Sequence, residues 1–315
     1  MKQKKLSLKQ QKNMVNARSH RSTAYDQIVE ALLVAHRGKT LECSYNNTLI
    51  QIHNSRTFDL VVGDRIILGL SEDKDPELLE HIPPKNVLYR IARDRQKKLL
   101  AANIDLACVV LAIQPEPWEQ IVAQYYTHLR NLSIPCCFVV NKCDQNSPPQ
   151  WLIERLNYFR DELDVPYVQT SVYTGTGITQ LHDYLNNKTS IIIGPSGVGK
   201  SSLIQLLLKD QSIRIGELSS SSKGQHTTSV GQLYFFDTVT RLIDSPGIRQ
   251  LAMEEFSVPE ILQGFDDFQR AGCKFRDCDH IDSKGCLVLR AIESGSIPSH
   301  RYEDYLYLRK KFLTS

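Results

Sequence analysis

The sequence predicts a multi-domain protein in three parts: a small closed β-barrel, an α/β domain built on a parallel sheet, and a short helical tail carrying a metal site. Three observations carry this prediction. Several short β-prone runs, punctuated by turns, fill the first quarter of the chain. Beyond them, runs that are apolar along their whole length alternate with helical periodicity, the pattern of a parallel sheet covered on both faces. Near the end, three cysteines and a histidine crowd into residues 273–286. The length, 315 residues, gives room for two or three such units.

The N-terminal residues 1–24 read as a basic flexible arm: Lys2, Lys4, Lys5, Lys9, Lys12, Arg18 and Arg21 are basic, and no acid precedes Asp26. Such an arm suits a polyanion, RNA among them. Ile28–Ala35, Thr40–Ser44, Leu49–His53 and Arg65–Leu70 read as the barrel strands, with turns at Gly38, Asn46-Asn47 and Gly63-Asp64. Their pattern alone does not separate one small barrel type from another. Asp73–Asn86, with Pro76, Pro83 and Pro84, reads as a linker. The α/β part then takes Ile104–Ile113, Pro135–Val140, Tyr167–Val172 and Ser190–Ile193 as buried strands. Trp118–Leu132, Trp151–Leu163, Ile178–Leu185 and Ser201–Lys209 are its helices. The tail is helical at both ends with a cysteine-rich centre.

The most informative motif lies directly after the strand Ser190–Ile193. Gly194, Pro195, Ser196, Gly197, Val198, Gly199, Lys200 and Ser201, with Ser202 beyond, match a phosphate loop in its strand–loop–helix setting. Glycines let backbone N–H groups converge on phosphate oxygens, and the helix after the loop adds the positive end of its dipole. Lys200 is expected to reach the β- and γ-phosphates and Ser201 to ligate Mg²⁺. A second motif, Asn141, Lys142, Cys143 and Asp144, comes after the strand Cys136–Val140 and has the form of the guanine-reading N-K-x-D of GTPases. A carboxylate at Asp144 can accept two hydrogen bonds from guanine, whereas adenine would leave the charge unpaired. Thr170, Ser171 and Val172 end the next strand, where Val172 replaces the usual small residue. Asp244-Ser245-Pro246-Gly247 fits D-x-x-G, with Asp244 holding a Mg²⁺ water and Gly247 sensing the γ-phosphate. Between these motifs, Thr227 and Thr228 lie in a polar, serine-rich stretch where a GTPase carries its first switch.

The motif order is rotated. The guanine motif precedes the phosphate loop, whereas GTPases ordinarily run the other way, so the α/β domain is expected to be circularly permuted. The chain then leaves that domain just after Gly247. The tail beyond it contains Cys273-x₄-Cys278-x-His280-x₅-Cys286, three thiolates and an imidazole suited to a closed, structural Zn²⁺ site.

With these residues in view, the chain resembles the RsgA/YjeQ family of circularly permuted GTPases. The resemblance extends to Val61-Val62-Gly63-Asp64, Leu88-Tyr89-Arg90, Ala101-Ala102-Asn103-Ile104-Asp105 and Arg301-Tyr302-x-x-Tyr305. It implies an OB-fold at 25–85, a permuted P-loop GTPase at 86–250 and an α-helical zinc domain at 251–315. It implies GTP hydrolysis to GDP and phosphate, stimulated by the small ribosomal subunit and its rRNA, in late maturation of that subunit, with hydrolysis promoting release. Ile248 stands where many small GTPases carry a water-orienting glutamine, and the resemblance points to His226 as the replacement.

Composition sets the remaining expectations. No run of about 18 apolar residues occurs, so no membrane span is expected. The arm lacks the apolar core of a secretory signal, and eight cysteines without one read as thiols or metal ligands in a cytoplasmic monomer. Two other readings stay open at this point. One is an RNA-binding module that uses nucleotide only as a structural ligand. The other is a metabolic or signalling NTPase, which a preference for ATP would reveal.

Overall fold

A computed structural model describes residues 25–53, 59–91, 96–114, 119–209, 231–244, 256–273 and 278–313. Five antiparallel strands form the barrel: β1 (Gln27–Arg37), β2 (Thr40–Tyr45), β3 (Thr48–His53), β4 (Arg65–Ser71) and β5 (Lys74–Ile82). β1 is the long strand and is used twice. Its first half pairs β4, from Gln27↔Leu70 to Leu32↔Arg65, and its second half pairs β2, from Leu32↔Ser44 to Arg37↔Thr40. β4 pairs β5, and β5 comes back beside β3. Leu33, Leu41, Cys43, Ile52, Ile66, Leu68 and Leu78 fill the interior.

The segment expected as a linker, Asp73–Asn86, is corrected by β5. Pro76 and the charges around it are absorbed by irregular pairing, while Pro83 and Pro84 follow the strand's end at Ile82. Gly69 opposes Glu77 and Ser71 opposes Lys74, so Asp75 and Pro76 together face Leu70 in a bulge that tolerates the missing N–H. A hairpin of β6 (Val87–Ile91) and β7 (Lys97–Ala102), also unforeseen, leads into the second unit.

That unit has the predicted parallel sheet. β8 (Leu106–Ala112), β9 (Cys136–Asn141), β10 (Tyr167–Gln169), β11 (Thr189–Ile193) and β13 (Arg241–Asp244) run parallel, and β12 (Gln232–Phe235) is antiparallel to β13. The spatial order is β10-β9-β8-β11-β13-β12, and the sheet continues into the barrel because β12 pairs β1 at Ala35↔Gln232. β8, β9 and β11 are buried at every position, as a sheet covered on both faces requires. One face carries α3 (Ile178–Leu185) and α4 (Lys200–Lys209). The other carries α1 (Ile121–Asn131) and α2 (Gln150–Leu163).

The tail forms α5 (Val258–Leu262), α6 (Asp266–Ala271), α7 (Leu287–Glu293) and α8 (Ser299–Leu313), bearing out its helical reading. These helices do not hang free. Phe256, Ile261, Phe265, Phe268, Tyr305, Leu308 and Phe312 belong to one core with Val122, Tyr126, Leu129, Leu156 and Phe159 of α1 and α2. Among the described residues, no helix is long and apolar enough to cross a membrane.

Candidate functional site

The carboxyl ends of β8, β9 and β11 gather the predicted nucleotide residues. β11 delivers Gly194, whose backbone has φ +143°, and a Cβ there would stand 2.2 Å from the Val110 carbonyl oxygen of β8. Only glycine fits so close to the neighbouring strand. The loop through Pro195, Ser196, Gly197 and Val198 then turns at Gly199, φ +93°, into α4. Lys200 opens that helix and its ammonium is hydrogen-bonded to the Pro195 carbonyl. Ser201 and Ser202 come next on its exposed first turn.

The guanine motif is clipped onto this loop. Asn141 is buried at the end of β9, and its amide donates to the Val198 carbonyl at 2.9 Å. A Cβ on Gly199 would meet that same amide at 2.5 Å, so the close approach of loop and motif depends on glycine. Lys142, in the left-handed region at φ +66°, spans from the Gln114 carbonyl (2.8 Å) to that of Gly197 (2.7 Å). Cys143 turns inward, its thiol on the Val140 carbonyl at 3.0 Å, and burial raises its pKa. Asp144 stays exposed, held by the Ser171 hydroxyl at 2.5 Å. Val172 is half-buried beside Ser171. Motif reading placed Thr170 at this strand end and gave it no role of its own. It is fully buried, donates its hydroxyl to the Asn141 side-chain oxygen Oδ1 at 3.1 Å, and fixes which way that amide points.

Asp244 ends β13, next to β11 in the sheet. His226, Thr227, Thr228 and Gly247 lie outside the described residues.

The second cluster is in the tail. Cys273 Sγ lies 3.5 Å from both Cys278 and Cys286, and His280 Nδ1 lies 3.6 Å from Cys273 and 3.4 Å from Cys286. All four ligand atoms fall within 4.8 Å of one another, so the set can hold a metal ion. His280 offers Nδ1, with its ring edge-on to Phe268 at 5.8 Å. The loop is tied to α8, because the Asp279 carbonyl accepts from Tyr305 and Arg309, both at 2.8 Å.

A buried polar clamp joins this module to α2. Arg301, fully buried on α8, makes two 2.9 Å bonds to the Asp267 carboxylate and one to the Gly264 carbonyl, while Tyr158 of α2 donates to Asp267 at 3.0 Å. The guanidinium also lies 4.2 Å from the Phe265 ring centre. Beside it, Arg155 of α2 faces Asp304 at 3.5 Å.

Comparisons with known proteins agree with this geometry. Residues 81–254 match the RsgA GTPase family. The chain is 33% identical over 293 residues to the small ribosomal subunit biogenesis GTPase RsgA of Hahella chejuensis, covering 89% of this chain and 84% of that one. It is 35% identical over 291 residues to the protein of the same name from Saccharophagus degradans, covering 87% and 84%. Among solved structures, YjeQ from Thermotoga maritima superposes with a TM-score of 0.73 at 25% identity, over 92% of this chain and all of that one. YloQ, a circularly permuted GTPase, shares the fold with a TM-score of 0.70 at 18% identity, over 92% and 96%. A permuted sheet order, a guanine motif seated on a phosphate loop and matches spanning most of the sequence lead to one conclusion: the chain belongs to the RsgA family of GTP-hydrolysing proteins.

Proposed function

We propose that the chain binds the small ribosomal subunit and its rRNA, acts in late maturation of that subunit, and hydrolyses GTP to GDP and phosphate under stimulation by it. Hydrolysis then promotes release of the factor. Support for the subunit comes from relatives named as small ribosomal subunit biogenesis GTPases. The observation that carries the nucleotide half is the single network joining Asn141, Lys142 and Thr170 to Gly197 and Val198, since it couples base recognition to the phosphate loop.

In this reading Asp144, presented by Ser171, accepts from the guanine edge. Asn141, Lys142 and Cys143 frame the base, and Ser171 with Val172 closes its rim. Gly194 to Gly199 direct backbone N–H groups at the phosphates, aided by the dipole of α4. Lys200 exchanges its Pro195 contact for phosphate oxygens. The hydroxyl of Ser201, on the first turn of α4, and the carboxylate of Asp244, at the end of β13, are hard oxygen donors that fit a magnesium ion, with Thr227, Thr228 and Gly247 completing the switch side. Magnesium, when bound, neutralises charge on the β- and γ-phosphates. His226 positions the attacking water. Cys273, Cys278, His280 and Cys286 fit one structural Zn²⁺, their donor set leaving no open position. The functional units are the arm 1–24, the barrel 25–85, the GTPase 86–250 and the zinc module 251–315, working as a monomer in the cytoplasm.

The test is steady-state GTP turnover with and without purified small subunits, for wild type and His226→Ala. Stimulation in the wild type and its loss in His226→Ala are expected. Turnover indifferent to subunits refutes the ribosomal half, and equal stimulation of both proteins refutes the role of His226.

A further inference from the structure

The barrel and the GTPase sheet meet at one irregular point in β1. Strand alternation should send Leu33 and Val34 to opposite faces, one inward and one out. Both are buried, at 0% and 5% exposure, and they enter different cores. Leu33 packs in the barrel, whereas Val34 packs with the core that holds Leu233 of β12 and Ile243 of β13. Alternation places them so because both faces of β1 are covered here, and at this same point the pairing with β2 shifts register between Leu33 and Ala35. The irregularity is anchored. Leu33 donates its N–H to the Asp64 carbonyl at 2.8 Å and accepts from Gly63 at 2.9 Å, while Ala102 donates to the Val62 carbonyl at 2.9 Å.

From that point a straight row crosses the sheet. Ala35 pairs Gln232, and Gln232 pairs Asp244. Asp244 is therefore two strands away from the barrel, with β12 between them. Tyr234 on the same strand feels both ends. Burial first and Asp244 second raise its phenol pKa, and Arg37 of β1 pulls the other way.

We propose that Val34 and Ala35 of the barrel are positioning residues for Asp244, acting through Gln232, so that the barrel governs how firmly magnesium and nucleotide are retained at a site it does not touch. The proposal rests on the reading of Asp244 as the magnesium carboxylate. By linkage, nucleotide binding must then tighten the barrel joint by the same factor.

The experiment uses the full chain and a fluorescent GDP, and reads the magnesium concentration that half-maximally retains the nucleotide. Val34→Ala is expected to raise this midpoint about fivefold or more. It should leave GDP affinity in excess chelator unchanged, and Val34→Ile should restore the wild-type value. Leu33→Val, trimming the adjacent residue on the barrel side, should leave the midpoint unmoved. A Val34→Ala midpoint equal to wild type overturns the proposal, as does an equal shift in Leu33→Val. Asp244→Asn separates the two readings. If it moves the midpoint and Val34→Ala does not, the joint alone fails; if it moves nothing, the assignment of Asp244 fails and the proposal with it. Wild-type hydrogen exchange gives an answer that needs no variant: Gln27–Arg37 should exchange more slowly with GDP and magnesium than with GDP alone, and equal rates count against coupling.

Discussion

Asp144 and His128 illustrate opposite fates of a polar side chain. Asp144 is exposed at the proposed guanine site and held at 2.5 Å by Ser171, an orientation that needs no bound base. Loss of a charge-assisted contact there is worth about 1.5–3 kcal/mol. Asp144→Ala should therefore weaken GTP roughly tenfold to a hundredfold and erase most of the preference over ATP, read by competition against a fluorescent GDP. His128 on α1 is sealed in. It is 5% exposed, its ring lies between Tyr89 and Phe256, and neither nitrogen has a hydrogen-bond partner among the described residues. Burial lowers its pKa to about 4. The folded state thus keeps the ring neutral where the unfolded chain would protonate it. Its contribution to stability is complete above an unfolded pKa near 6.5 and declines at about 1.4 kcal/mol per pH unit as the pH falls toward 4. Urea unfolding of His128→Phe beside wild type should show the variant gaining about 2 kcal/mol relative to wild type between pH 7 and pH 5.

At the scale of elements, the legible ones were those with a single strong signal. β8, β9 and β11 are buried throughout and mostly apolar, and α3 keeps the bounds its periodicity gave, because burial on one face or both dictates those patterns. β5 was hidden because only two of its nine residues are buried and two bulges break its alternation. The phosphate loop and guanine motif were readable since their chemistry fixes residue types at short spacing. The support that Thr170 gives Asn141 was not, because it depends on two strands lying side by side. Arg301 is a similar case. Nothing local says that an arginine on α8 is fully buried, and only its partner Asp267, 34 positions away, accounts for it. Arg301→Met should cost about 3–5 kcal/mol in urea unfolding by stranding that carboxylate. Adding Asp267→Asn should recover a large part, so the double variant falls well short of the sum.

For the whole molecule, the shared core changes what the metal site means. A zinc module attached by a linker could unfold alone. Here Phe256, Phe265, Tyr305 and Phe312 lie in the same core as α1 and α2, so with zinc bound as proposed the metal would support the GTPase domain as well as the tail. Zinc binding contributes folding energy directly. Chelation, or Cys278→Ala, should lower the melting temperature of the whole chain in one transition, tracked by calorimetry and by release of bound fluorescent GDP. GDP affinity well below that temperature should be nearly intact, since the nucleotide residues sit at the ends of β9 and β11, away from α5 and α8.

Gly264 sets a rule for recombining such proteins. A Cβ at this position would lie 1.9 Å from the Thr127 hydroxyl and 2.8 Å from its Cα, which is backbone and cannot step aside. The tail and α1 are thus cut to one template. A chimaera that grafts residues 256–313 onto another core inherits that template, and will seat properly only where the host helix presents a side chain no larger than threonine opposite the glycine. Module exchange in this architecture is therefore limited at this contact by a single methyl group's worth of space.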